Sequence, residues 1–71
     1  MASKKNKKTV AKHDCQVGGT FCIAQGHSED YIGGKFPIVA IDPAGYEPGC
    51  AIVIDVDGYE MVTYVANGYP V

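Results

Sequence analysis

At 71 residues, with 46% hydrophobic and 20% charged side chains and a formal charge of −2, the chain has room for one small domain and no more. Its two Phe and five Tyr argue for a folded body rather than disorder, and no apolar run approaches the ~18 residues of a membrane-spanning helix. The lack of arginine excludes bidentate recognition of phosphate or guanine and leaves lysine point charges for any nucleic-acid contact.

Charge is divided along the chain. Residues 1–12 hold five of the six lysines (Lys4, Lys5, Lys7, Lys8 and Lys12) and no acid, a formal +5. Residues 13–71 hold Lys35 and all eight acids, a formal −7, and the two halves give the overall −2. Residues 1–9 read as a disordered basic arm and residues 10–71 as a single small β domain. A basic arm on an acidic body suits an adaptor. The start, MASKKNKK, has no apolar h-region, Ala2 does not fit N-myristoylation, and the three cysteines cannot all pair within one chain. A reduced, cytoplasmic protein is expected.

In chain order, Val10 to Val17 and Thr20 to Gln25 are strand candidates able to pair across Gly18-Gly19. His27 to Gly34 is the one helix-like piece: Ser28 can cap it, Glu29 and Asp30 suit a first turn, and Gly33-Gly34 end it after one or two turns. Phe36 to Asp42 is the next strand, and Pro37 places its start at a sheet edge because proline cannot donate to a ladder. Asp42-Pro43-Ala44-Gly45 and Glu47-Pro48-Gly49 are turn chemistry.

The strongest signal is Cys50 to Val65, two β-rich runs separated by Asp57-Gly58. That dipeptide suits a type I′ turn, whose two central residues both need positive φ. A two-residue turn fixes the register, so Val56 faces Tyr59, Asp55 faces Glu60, Ile54 faces Met61, Val53 faces Val62 and Ile52 faces Thr63. One face, with Val56, Ile54, Ile52, Tyr59 and Met61, is expected to join the core. The other, with Val53, Val62, Ala51 and Tyr64, is also apolar, so it is either enclosed in a barrel or meets a partner. The fold class expected is mostly β: a small antiparallel sheet, or an SH3-like or OB-like barrel, of four or five short strands with at most one short helix.

Four sets of residues bear on function. Asp55, Asp57 and Glu60 cluster at the hairpin tip, either as a docking knob for a basic surface or as a solvated end. His13, Cys15, Cys22 and His27 form a weak zinc alternative, because their spacing is not that of a zinc knuckle. Gly33-Gly34-Lys35-Phe36-Pro37-Ile38-Val39 has one aromatic where base stacking needs two or three, and reads as an ordinary strand. Among the tyrosines, Tyr64, beside Val53 and Val62, is the best hot-spot candidate. No catalytic signature stands out, so an enzyme is not expected, and no cofactor is.

In small size, lysine arm, acidic β body and lack of catalytic motif, the whole chain resembles the small phage-encoded transcription regulators that bind host RNA polymerase. The resemblance implies that Lys4 to Val10, and an adjoining strand near Thr20 and Phe21, contact polymerase or nearby nucleic acid. The expected function is a non-enzymatic protein that docks on a larger machine, with bacterial RNA polymerase favoured and the host cytoplasm as its place. The alternatives are a nucleic-acid-binding β-barrel using its lysine arm, and a zinc-stabilised structural module.

Overall fold

The computed structural model describes residues 14–71. The basic arm, with Lys4, Lys5, Lys7, Lys8 and Val10, lies outside the described residues, as does His13. The elements are β1 (Thr20–Ile23), β2 (Lys35–Ile41), β3 (Ala51–Val56), β4 (Tyr59–Tyr64), a 3₁₀ turn (Val65–Asn67) and β5 (Gly68–Pro70). All neighbours are antiparallel, in the order β4-β3-β2-β1-β5, so the described body is one five-stranded sheet, as the mostly-β reading requires.

The sheet is open but curled. Its two edge strands, β4 and β5, follow one another in sequence through a three-residue 3₁₀ turn. Five strands laid flat would put the edges roughly 19 Å apart at the usual spacing, whereas three 3₁₀ residues advance only about 6 Å. The connection therefore draws the end of β4 toward the start of β5. The β1–β2 loop ties the curl together. The N–H groups of Ala24 and Gln25 donate to the Asn67 carbonyl, at 2.7 and 3.0 Å. His27 Nε2 meets Thr63 Oγ1 at 2.8 Å, and the Tyr31 and Tyr59 hydroxyls meet at 3.2 Å.

The core fills the concave side. Phe21 and Ile23, two apart on β1, are both fully buried, and they pack with Cys15, Ile38, Ile52, Ile54 and Val56, flanked by Tyr31, Phe36, Met61 and Val65. Phe21 as a partner contact is thus corrected: its ring has 0% exposure and belongs to the core. Thr63 is buried among these groups without penalty because its hydroxyl has the His27 ring nitrogen as partner.

Strand β2 is where the sheet turns. Its first half, Lys35 to Pro37, is in register with β1; from Ile38 onward its register is with β3. Pro37 sits in a central strand rather than an edge strand, yet its side toward β3 has no register partner, so the missing donor is not needed there. Between Ile38 and Ala40 the register slips by one residue, a bulge at Val39 that bends the strand and re-aims its side chains.

Two sequence expectations are corrected. Residues 14–19 are not a strand: Val17-Gly18 is a turn, and β1 takes β2 and β5 as its neighbours, so the pairing across Gly18-Gly19 does not form. Residues 28–34 make successive three-residue turns (Tyr31 N–H to Ser28 O, Ile32 N–H to Glu29 O, Gly34 N–H to Tyr31 O) and no helix. Ser28 Oγ does accept from the Asp30 N–H, the capping bond expected of it. With glycine at two consecutive positions, the segment cannot add the further turn that helix propagation needs.

Burial gives Cys15 a pH-linked role. Its thiol is 4% exposed, and its pKa is pushed up first by desolvation and then by the Asp14 carboxylate. The unfolded chain therefore releases this proton at lower pH than the folded one, near the usual thiol value of about 8.5. Above that pH the folded state binds more protons, so stability falls as pH rises. Urea denaturation at pH 7.5 and at pH 9.5 is expected to give a lower midpoint at the higher pH, with the difference reduced in Cys15→Ala.

Candidate functional site

The Asp57-Gly58 turn is formed as its chemistry demands, with φ of 53° and 104° at its two residues. The register of β3 and β4 matches the sequence reading at every pair, and continues to Ala51 opposite Tyr64. Cross-strand partners share a face, so the residues that alternate with the core positions Ile52, Ile54 and Val56 point to the convex side.

That convex face carries a row of apolar side chains across three strands. Ala40 on β2 is opposite Val53 on β3, which is opposite Val62 on β4. Val39, turned outward at the bulge, and Val62 are each 37% exposed. One rung along, Tyr64 is opposite Ala51 and meets Tyr46 of the β2–β3 loop edge to face, ring centroids 5.7 Å apart at 75°. Tyr64 is 52% exposed, while Ala51 is fully buried. This corrects its placement on an open face.

At the other end of the row stand Asp55 and Glu60, directly opposite each other, with Asp57 in the turn. Two like charges at such a pair are destabilising unless solvated or otherwise engaged. Asp55 is engaged, since its Oδ1 accepts the Gly58 N–H at 2.9 Å and locks the turn. Of the acidic tip, Asp57 and Glu60 are exposed and Asp55 is half-buried. The face thus runs from a tyrosine pair, over valines, to a carboxylate cluster.

The remaining expected positions fall elsewhere. Thr20 is half-buried and lines a shallow cleft with Gln16, Ile38, Pro70 and Val71, beside the point where residue 14 begins the described chain. Of the zinc alternative, the described members Cys15, Cys22 and His27 are not brought together. Cys15 is in the core, and Cys22 lies between the inward Phe21 and Ile23 on the opposite face of β1. His27 is bonded to Thr63. Among the described residues no group of three or more His, Cys, Asp or Glu is placed to hold a metal.

Two tyrosines are held in the neutral form. Tyr31 is pushed up first by its hydrogen bond with Tyr59, and Tyr69 by its hydrogen bond with Cys22, its cross-strand partner. Both phenols therefore serve as neutral hydrogen-bonding groups.

Sequence reasoning missed Val39 and Tyr46 as members of the face. Val39 points outward by alternation with the inward Ile38, and the bulge, which has no sequence mark here, sets Ala40 on the same face opposite Val53. Tyr46 lies in a segment readable only as turn. No protein-family model, curated protein or solved structure matches the chain.

Proposed function

We propose that the protein is a non-enzymatic binding module that docks on a larger assembly through the convex face of β2–β4, with bacterial RNA polymerase as the favoured target. The observation that carries this reading is the face itself: exposed Val39, Val62 and Tyr64 in one patch, with Tyr46 against Tyr64 and carboxylates at one end. An apolar centre with an aromatic anchor and a charged rim is the anatomy of a protein interface. The polymerase comes from the resemblance to phage transcription regulators, whose arm and neighbouring strand would add lysine contacts near Thr20.

Tagged full-length protein passed over bacterial lysate at moderate salt is expected to retain polymerase subunits stoichiometrically. Tyr64→Ala is expected to weaken retention at least tenfold, as loss of a hot-spot aromatic does (about 1.4 kcal/mol or more). Recovery of no polymerase subunit would remove that target, and unchanged retention by Tyr64→Ala would remove the face.

A second reading rests on the charge split. Five lysines without an acid in residues 1–12 suit a polyanion. If all five neutralise phosphates on duplex DNA, log affinity falls against log salt with a slope of about −4.5. A flat salt response would exclude it.

A further inference from the structure

We infer that the outer edge of β4 is a strand-addition site for an extended, lysine-bearing segment of a protein partner. This deepens the proposed docking function and rests on it.

The hairpin geometry decides which backbone groups are on offer. A two-residue turn makes Val56 and Tyr59 the first hydrogen-bonded pair, and bonded pairs then alternate along the ladder. Tyr59, Met61 and Thr63 therefore spend their N–H and C=O groups on β3. Glu60, Val62 and Tyr64 aim theirs away from it. The same alternation on β3 is visible where Ala51 O accepts from Asp42 N–H on the β2 side, and where Cys50 O accepts from Val65 N–H on the β4 side. Among the described residues β4 has β3 as its only neighbour in the sheet, and no turn or loop backbone bond reaches Glu60 or Val62, while the Tyr64 carbonyl caps the 3₁₀ turn that follows and leaves its N–H on the outer edge.

The two edges of the sheet differ in a way that selects β4. Strand β5 is three residues long and ends in Pro70, a short edge blunted by a residue with no N–H. Strand β4 is six residues long, with no proline, lysine or bulge along it. An edge of that length, exposed at Glu60 and Val62, is a template for another strand.

Chemistry along the edge specifies the occupant. An added strand sets its side chains beside those of β4 at cross-strand distance. On the convex side it meets Glu60, Val62 and Tyr64 in turn, with Asp57 beyond Glu60. A lysine beside Glu60 and a β-branched residue beside Val62 complement those positions, and a lysine beside Tyr64 gains the face of its ring. The only lysine among the described residues, Lys35, is on β2, two strands away from β4.

The test uses the full-length protein, isotope-labelled for NMR, and a short capped peptide alternating lysine and valine. Added peptide is expected to slow amide exchange at Glu60, Val62 and Tyr64 while leaving Tyr59, Met61 and Thr63 as they were. Methylating alternate peptide nitrogens should abolish the effect. Val62→Pro removes an outward N–H that the hairpin does not use, and should weaken binding at least tenfold. Glu60→Lys, an exposed change that leaves the backbone untouched, should do the same should the proline variant fail to fold. Binding that ignores peptide methylation, or perturbs only the β1–β5 side, overturns the inference. So does protection of these three amides without peptide. If it grows with protein concentration, the occupant is a second copy; if it does not, the occupant is the chain's own N-terminal segment. Polymerase retained equally by wild type and Glu60→Lys would leave docking standing and remove only the edge.

Discussion

Gly68→Ala is expected to cost about 3 kcal/mol or more, and Gly68→Val to leave no folded population at room temperature. Gly68 opens β5 opposite Ile23, with an extended φ of −177° that any residue adopts, so conformational freedom is not the issue. Space is. A Cβ there would overlap the Cys22 carbonyl oxygen and stand 2.8 Å from the Phe21 ring. The carbonyl is backbone held in the sheet, and the ring is fully buried, so neither can yield cheaply. Overpacking of this kind typically costs 1–3 kcal/mol and sometimes more, in a domain whose whole core supplies only about 3–5 kcal/mol. Gly58→Ala provides the comparison. It has open space around it but φ of 104°, so only the backbone term of about 1–2 kcal/mol applies. Urea titrations followed by far-UV circular dichroism would rank the three variants. Gly68→Ala as stable as wild type would mean that β5 does not seat on β1 as described.

Phe21→Ala is expected to cost about 3–5 kcal/mol, the usual range for deleting a buried aromatic side chain. The ring is fully buried at the centre of the cluster formed by Ile23, Ile38, Ile52, Ile54 and Val56, and is in register with Phe36. The same substitution would be nearly silent for stability if the ring met a partner instead. A thermal melt therefore separates the two roles: collapse of the transition marks a core residue, and an unchanged melting temperature marks a surface one. Tyr64→Ala is the opposite case, an exposed side chain whose loss should show in docking far more than in stability.

The β3–β4 hairpin was legible down to individual pairs because its information is local. Asp57-Gly58 admits one turn type, and one turn type admits one register. What the register could not tell is where the core ends. Tyr59 is on the core-side alternation yet lies 55% exposed at the tip, where its hydroxyl meets Tyr31 across the curl. Strand β5 was invisible for the converse reason. Gly-Tyr-Pro has little strand propensity, and it is held extended by pairing with β1 and by the Val71 N–H donating to Thr20 O. The turn at 65–67 likewise has no capping side chain to announce it. Of the candidate site, the acidic tip and Tyr64 were readable from alternation. The joining of Ala40 and Tyr46 to them depends on a bulge and a loop, both tertiary outcomes.

The three-residue link between the two edge strands also sets an order of assembly. The β3–β4 pairs close a loop of two residues, whereas β5 must find β1 across nearly the whole described chain. Loop-closure entropy rises with that separation, so the hairpin is the natural nucleus and the β1–β5 seam the last contact to form. Changes at the turn should then register mainly in the folding rate, and changes at Gly68 mainly in the unfolding rate. The seam, more than the rest of the sheet, sets how long a folded molecule survives.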